Sequence, residues 1–251
     1  MLAENRLRKQ IKEFESLLDL IVVNESNLAT FAPRTLEKYS KLLKKELPGF
    51  GFWIWKAEVC FNMLKECKIS GYQGCLYLDV GCELYGSHFS KTFLRAILLI
   101  AKRREALVFA SGGTDRQYSK KHLVDYLGTQ RKHLETRQIA ATWFAITPQK
   151  SQRLIEDWME TCLCDESLIN LDHTNPQINF DGFVAHRSDQ SIFSLICKQR
   201  GIRPFPCLDY SGRNMKLHSL RRHFHPIWTA RNLSDVKLGE FHANKKRRRQ
   251  L

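Results

Sequence analysis

The chain has 251 residues, with 40 Lys and Arg against 26 Asp and Glu, a formal net charge of +14. An apolar fraction of 43% can bury a sizeable core, which excludes a disordered chain, and the length suits one α/β domain or one domain with a small appendage. No apolar run reaches the ~18 residues of a membrane span, and the opening MLAENRLRKQIKEFE lacks the apolar centre of a secretory signal.

Leu7, Ile11, Phe14 and Leu18 fall at helical spacing and predict an amphipathic opening helix. Leu18 to Val23 then reads as a short buried strand. Pro33 opens a second helix, continued by Leu36, Tyr39, Leu43 and Leu47 and stopped by Pro48-Gly49. A third helix is expected from Ile54 to Cys67, a turn between Gly71 and Gly74, and a strand from Cys75 to Leu78 that ends at Asp79. A helix from Lys91 to Arg103 and a strand from Ala106 to Ala110 follow.

Gly112-Gly113 reads as a turn, Ser119 as the cap of a helix through Leu127, and Ile139 to Ile146 as a strand. Thr147-Pro148 begins a helix with Leu154, Ile155, Trp158, Met159 and Cys162 on one face. Asp165 to Gly182 is loop-like, and Ser188 starts a helix with Ile192, Phe193 and Ile196 inward, ended by Gly201. Beyond Asp209 no strong periodicity remains. Strands alternating with helices predict an α/β fold with a mainly parallel sheet.

From Arg213 onward, eleven Lys or Arg stand against Asp235 and Glu240, so this segment carries +9 of the charge. Its end, Lys245 to Arg249, is a basic run without aromatic interleaving or a recognisable nucleic-acid module, and it reads first as a solvated segment. The eight cysteines form no C-x-x-C pair and mostly sit in apolar runs, the pattern of buried free thiols in a reducing compartment. Only Cys162-x-Cys164 approaches a metal-ligand spacing, and no second pair accompanies it.

Three constellations could carry chemistry. In Leu78-Asp79-Val80-Gly81-Cys82-Glu83 an acid sits at the carboxyl end of a strand, where open α/β sheets bind ligands, with a second acid four residues on. Such carboxylates suit a hard divalent cation, although a turn-forming Asp has the same appearance. Gly49-Phe50-Gly51-Phe52-Trp53-Ile54-Trp55-Lys56 crowds aromatics and glycines before a helix, either as packing or as an aromatic wall with a cation placed near a phosphate. Ala185-His186-Arg187-Ser188-Asp189-Gln190 packs polar groups at a helix start, either as N-terminal capping or as a pocket with Asp189 as base.

Taken in this order, GFGFWIWK, LYLDVGCEL and HRSDQSIFSL resemble a family of small sugar-nucleotide glycosyltransferases of bacterial capsular, lipopolysaccharide and viral genes. The resemblance covers roughly Leu7 to Pro206. It implies a GT-A-type, Rossmann-like fold over residues 1–210, lacking the usual first strand, followed by a basic segment over 211–251. It implies a donor site of Trp55, Lys56, Asp79 and Gln190, with Asp79 binding a metal or the donor ribose. It further implies that Glu83 helps hold Mn²⁺ or Mg²⁺, and that His186 and Asp189 serve as catalytic groups facing the donor sugar and acceptor. The chain departs from the family in lacking the second Asp of a DxD motif and in having Ala57 after Lys56, where the pattern has proline.

The activity so implied moves a sugar from a nucleotide-diphosphate donor to a glycan or glycolipid acceptor. The alternatives are a catalytically inactive or truncated member of the same fold acting as a binding or scaffold protein, and a basic nucleic-acid-binding protein. The expected location is the cytoplasm, with peripheral contact to anionic membrane through the basic C-terminal segment.

Overall fold

The computed structural model describes residues 2–86, 88–171, 178–206 and 227–229. The fold is mixed α/β. In chain order it comprises α1 (Leu2–Ile11), a 3₁₀ turn Lys12–Phe14, α2 (Leu28–Phe31), α3 (Pro33–Tyr39), a turn labelled α4 (Gly49–Phe52), α5 (Lys56–Ile69), β1 (Cys75–Leu78), β2 (Glu83–Leu84) and α6 (His88–Arg103). There follow β3 (Ala106–Leu107), β4 (Ala110–Thr114), α7 (Asp115–Tyr118), α8 (Lys121–Tyr126), α9 (Arg131–Leu134), β5 (Arg137–Ile139), β6 (Trp143–Ile146), α10 (Gln152–Cys164), α11 (Ser188–Gln199) and β7 (Ile227–Trp228). No described helix is long and apolar enough to cross a membrane. The basic run expected at 245–249 lies outside the described residues.

The described residues divide into two compact units. The larger spans Val23–Tyr77 and Leu98–Pro206. Its sheet has the order β1-β6-β3, and its core gathers Phe144, Trp158 and Phe193, all fully buried. The Phe144 and Phe193 ring centroids lie 4.9 Å apart, and those of Trp158 and Phe193 4.6 Å. Trp158 and Phe193 sit on the inward faces of α10 and α11, where the 3.6-residue period places them. A second, smaller cluster packs Leu28, Ala32 and Val59 against Phe31, Phe50, Trp55 and Met63.

The smaller unit, described over 2–22, 78–97 and 227–229, joins α1 to the segment after β1 and pairs β2 with β7. Here the structure corrects the expected apolar stripe of the first helix. The buried face of α1 is Ala3, Arg6 and Gln10, continued by Phe14. Arg6 donates through Nη2 to Val80 O and Cys82 O at 2.9 and 2.8 Å, and Leu84 N donates to Gln10 Oε1 at 2.9 Å. Polar side chains thus satisfy a loop backbone that has few ladder partners, and that outweighs apolar periodicity.

Other expectations change for comparable reasons. Leu18 to Val23 forms no strand, and Leu20 and Ile21 are 37% and 50% exposed. The second helix ends at Tyr39, and residues 40–47 continue as turns. Residues 139–146 break into β5 and β6. Gly112-Gly113 lies inside β4 at a register shift. The helix expected after Ser119 begins at Lys121, and the one expected from Thr147 begins at Gln152. Three pairs depart from the mainly parallel sheet expected. The β3–β6, β4–β5 and β2–β7 pairs are antiparallel, and Phe109 with Phe205 makes a parallel bridge.

Candidate functional site

The segment before α5 has an unusual backbone. Gly49, Phe50, Gly51, Phe52 and Trp53 have successive φ values of 60°, 54°, 87°, 59° and 57°. They form one left-handed turn, in which Phe52 N donates to Pro48 O at 2.6 Å and Trp53 N to Gly49 O at 3.3 Å. Left-handed helical backbone costs roughly 1–2 kcal/mol for each non-glycine residue, so Phe50, Phe52 and Trp53 hold strain that their packing must offset. The two glycines have separate reasons. A Cβ on Gly49 would lie 2.0 Å from Cδ2 of Trp53, and one on Gly51 would lie 2.7 Å from Leu42 O.

The turn delivers Lys56 to the first position of α5 with its ammonium buried; the residue is 2% exposed. Lys56 Nζ lies 2.9 Å from Asp189 Oδ2 and donates to Ala141 O at 3.3 Å. The ammonium also sits 5.8 Å from the Trp53 ring centroid and 5.2 Å from that of Tyr77, within cation–π range. Asp189 is in the first turn of α11, where a carboxylate complements the helix dipole, and Trp158 Nε1 donates to its backbone oxygen at 3.1 Å. The second and third constellations of the sequence therefore meet in one buried ion pair. The capping expected of Ser188 and Asp189 does not occur. Arg187 occupies the cap position without a side-chain bond, and its backbone N–H donates to Ser191 Oγ at 3.1 Å.

Beside this pair runs a polar row that is partly exposed. Gln190 Nε2 donates to Gln138 Oε1 at 2.7 Å, while its Oε1 accepts from Ala141 N at 3.3 Å. Arg187 Nη1 donates to Ser111 Oγ at 2.8 Å, Gly112 O at 2.9 Å and Gln138 Oε1 at 3.2 Å. Its guanidinium stacks 3.4 Å from the Tyr118 ring centroid. Tyr118 can lie there because residue 113 is glycine, with φ 80°, and a Cβ would stand 2.1 Å from the ring. Sequence reasoning passed over Tyr77, Tyr118, Ser111 and Gln138. The paired glycines at 112–113 were the signal for a close ring, and they read as a turn instead.

His186 is placed differently from expectation. It is 5% exposed, its Nε2 lies 3.0 Å from Leu168 O, and Lys120 N donates to Nδ1 at 3.4 Å. Both ring nitrogens are occupied, and burial together with the Lys120 charge pushes its pKa down to about 3. A neutral imidazole holding two backbone segments does not fit the catalytic role expected of it. Trp55, expected to bind the donor, is engaged within its own segment. Its Nε1 donates to Gly49 O at 3.0 Å and its ring packs in the smaller cluster with Leu28, Ala32 and Val59.

Asp79 and Glu83 belong to the smaller unit. Asp79 O accepts from Cys82 N at 2.9 Å, closing the turn after β1, and the residue is half-buried. Glu83 is 1% exposed and its carboxylate accepts from the Tyr85 hydroxyl. The Glu83 charge opposes the burial that lowers the Arg6 pKa, so this carboxylate is already matched by a cation of the chain. No cluster of three metal-ligating side chains occurs among the described residues.

No protein-family model matches the chain, and no curated protein sequence matches it. Among solved structures, the apo form of mouse Xyloside xylosyltransferase 1 is similar, at 11% identity and a TM-score of 0.41, over 92% of this chain and 82% of that one.

Proposed function

We propose that the chain is a GT-A-type glycosyltransferase that binds a nucleotide-diphosphate sugar and transfers the sugar to a glycan or glycolipid hydroxyl. The reading rests on the sequence resemblance, and the observation that carries it is the 2.9 Å pair of Lys56 with Asp189, which joins two of the three motifs on which the resemblance stands. At 3% exposure Asp189 positions Lys56 and the start of α11; it is not placed to take a proton from an acceptor. The groups at the surface are Gln190 and Arg187. An amide both donates and accepts, which suits vicinal sugar hydroxyls, and a guanidinium suits a diphosphate. Positive charge held in place before the reaction stabilises the leaving nucleotide diphosphate without reorganisation. No step is assigned to a metal ion.

Calorimetric titration with UDP and GDP, with and without Mn²⁺, tests the proposal. Binding of one nucleotide, weakened about tenfold in Gln190→Ala by the loss of one hydrogen-bonding pair, is the expected result. A sugar nucleotide should also raise the thermal midpoint by mass action. No binding and no shift with any common sugar nucleotide at millimolar concentration overturns the reading.

The burial and pairing of Glu83 favour a second reading, a binding protein of the same fold without turnover. Any release of free sugar from a donor, even slow hydrolysis, removes it.

A further inference from the structure

Cys67 lies in the last turn of α5 and Cys75 opens β1. Their sulfurs are 2.6 Å apart across eight residues, close to the ~2.05 Å of a bonded pair. We propose that Cys67 and Cys75 are a redox couple: a small-molecule disulfide closes them into an intramolecular disulfide across the α5–β1 turn, and a thiol reductant reopens it.

The fold already supplies the geometry that such a bond needs. Gly71, at φ 73°, reverses the chain between helix and strand, with nothing within 4 Å of where its Cβ would stand. Ile69 and Tyr72 on that turn are 80% and 45% exposed, so an oxidant can approach from the loop side. Cys75 is half-buried and Cys67 is 9% exposed. The other described cysteines differ. Cys162 and Cys197 are fully buried, with thiols pushed well up by desolvation, and the exposed Cys164 donates to the Tyr126 hydroxyl at 3.1 Å.

The chemistry balances. Cys67 as thiolate attacks one sulfur of the oxidant and expels the first small thiol. Cys75 loses its proton to solvent and attacks the Cys67 sulfur, and the second small thiol leaves. Two protein thiols and one disulfide thus give one protein disulfide and two thiols. The hydrogen bond between the two cysteines lowers the Cys67 pKa and raises that of Cys75, which makes Cys67 the attacking sulfur. Because Lys56 opens α5 and Tyr77 lies on β1, the bond ties together the two elements that make the 5.2 Å cation–π contact.

The test uses the full chain, equilibrated in glutathione buffers from reduced to oxidised, alkylated, and mapped by peptide mass without reduction. The expected product is a Cys67–Cys75 cross-linked peptide in oxidised buffer that disappears on returning to reduced glutathione. The thermal midpoint of the oxidised form should rise by about 5 °C, because a closed loop restricts the unfolded chain. Three results each overturn the proposal: both cysteines fully alkylated in oxidised buffer, glutathione retained on either one, or either one linked to a different cysteine. The mapping needs no variant, so a Cys67→Ser chain that fails to fold leaves the test intact.

Discussion

Helix α11 carries a buried charge at each end, and the two are set in different surroundings. At its last turn Lys198 Nζ lies 2.5 Å from Asp115 Oδ2, with both side chains at most 5% exposed. Asp115 also accepts from Ser194 Oγ at 2.7 Å, Ser119 Oγ at 3.0 Å and Gln138 Nε2 at 3.1 Å, while Lys198 donates to His133 O and Thr136 O. At the first turn, the cation paired with Asp189 faces the rings of Trp53 and Tyr77 and follows a strained turn. The first arrangement is a polar network that pins α7, α9, β5 and α11 together. The second places a cation among aromatic faces beside a partly exposed polar row. Buried ion pairs are therefore not interchangeable signals, and the neighbours say whether one serves the fold or a ligand.

The largest expected effect breaks the first network. Asp115→Ala strands the Lys198 charge and three donors, and should lower stability by about 3–5 kcal/mol in urea unfolding. The sharper comparison uses double variants. Lys56→Met with Asp189→Leu replaces a pair set among rings and should be close to neutral in stability while abolishing nucleotide binding. Lys198→Met with Asp115→Leu should remain destabilised by at least about 2 kcal/mol, because the hydroxyl and amide donors lose their acceptor. Equal losses in the two double variants would erase the distinction.

His186 gives the next effect. Its folded pKa of about 3 lies below the ordinary 6.5, so between these values the unfolded chain binds the proton and the folded one does not. Stability is then fully present above pH 6.5 and falls as pH drops towards 3, by up to about 1.4 kcal/mol per unit. The difference between the chain and His186→Gln, followed by unfolding at pH 7, 6 and 5, isolates this slope. Gly49→Ala should cost about 2 kcal/mol through positive φ and the Trp53 ring. The smallest effect is Asp125→Ala, which removes an exposed ion pair with Lys121 and should cost about 0.3–0.5 kcal/mol.

The helices α10 and α11 were legible because their apolar residues repeat at the helical period, and β1 because Gly71 and Gly74 mark the turn before an apolar run that ends at Asp79. Residues 18–23 and the inner face of α1 were not. A short apolar run has no period to separate strand from loop, and nothing in the sequence says that Arg6 will reach carbonyls beyond residue 78. At the site, Lys56, Asp189 and Gln190 were named as neighbours of a ligand, and the structure places them together. Trp55 was named on the resemblance alone, and no periodicity in the sequence distinguishes it from Trp53. The ring that faces Lys56 is that of Trp53, at the end of the left-handed turn.

That turn has a consequence for the order of events in folding. A backbone that is locally unfavourable at Phe50, Phe52 and Trp53 cannot nucleate, so it forms only after α5 and the smaller cluster have packed around it. By the same balance it opens before the rest. The amides of Phe52 and Trp53 should exchange with solvent sooner than those in the middle of α5, although all belong to the same unit. The stretch of chain adjoining Lys56 is thus built to assemble late and release early, while the helix it leads into stays closed.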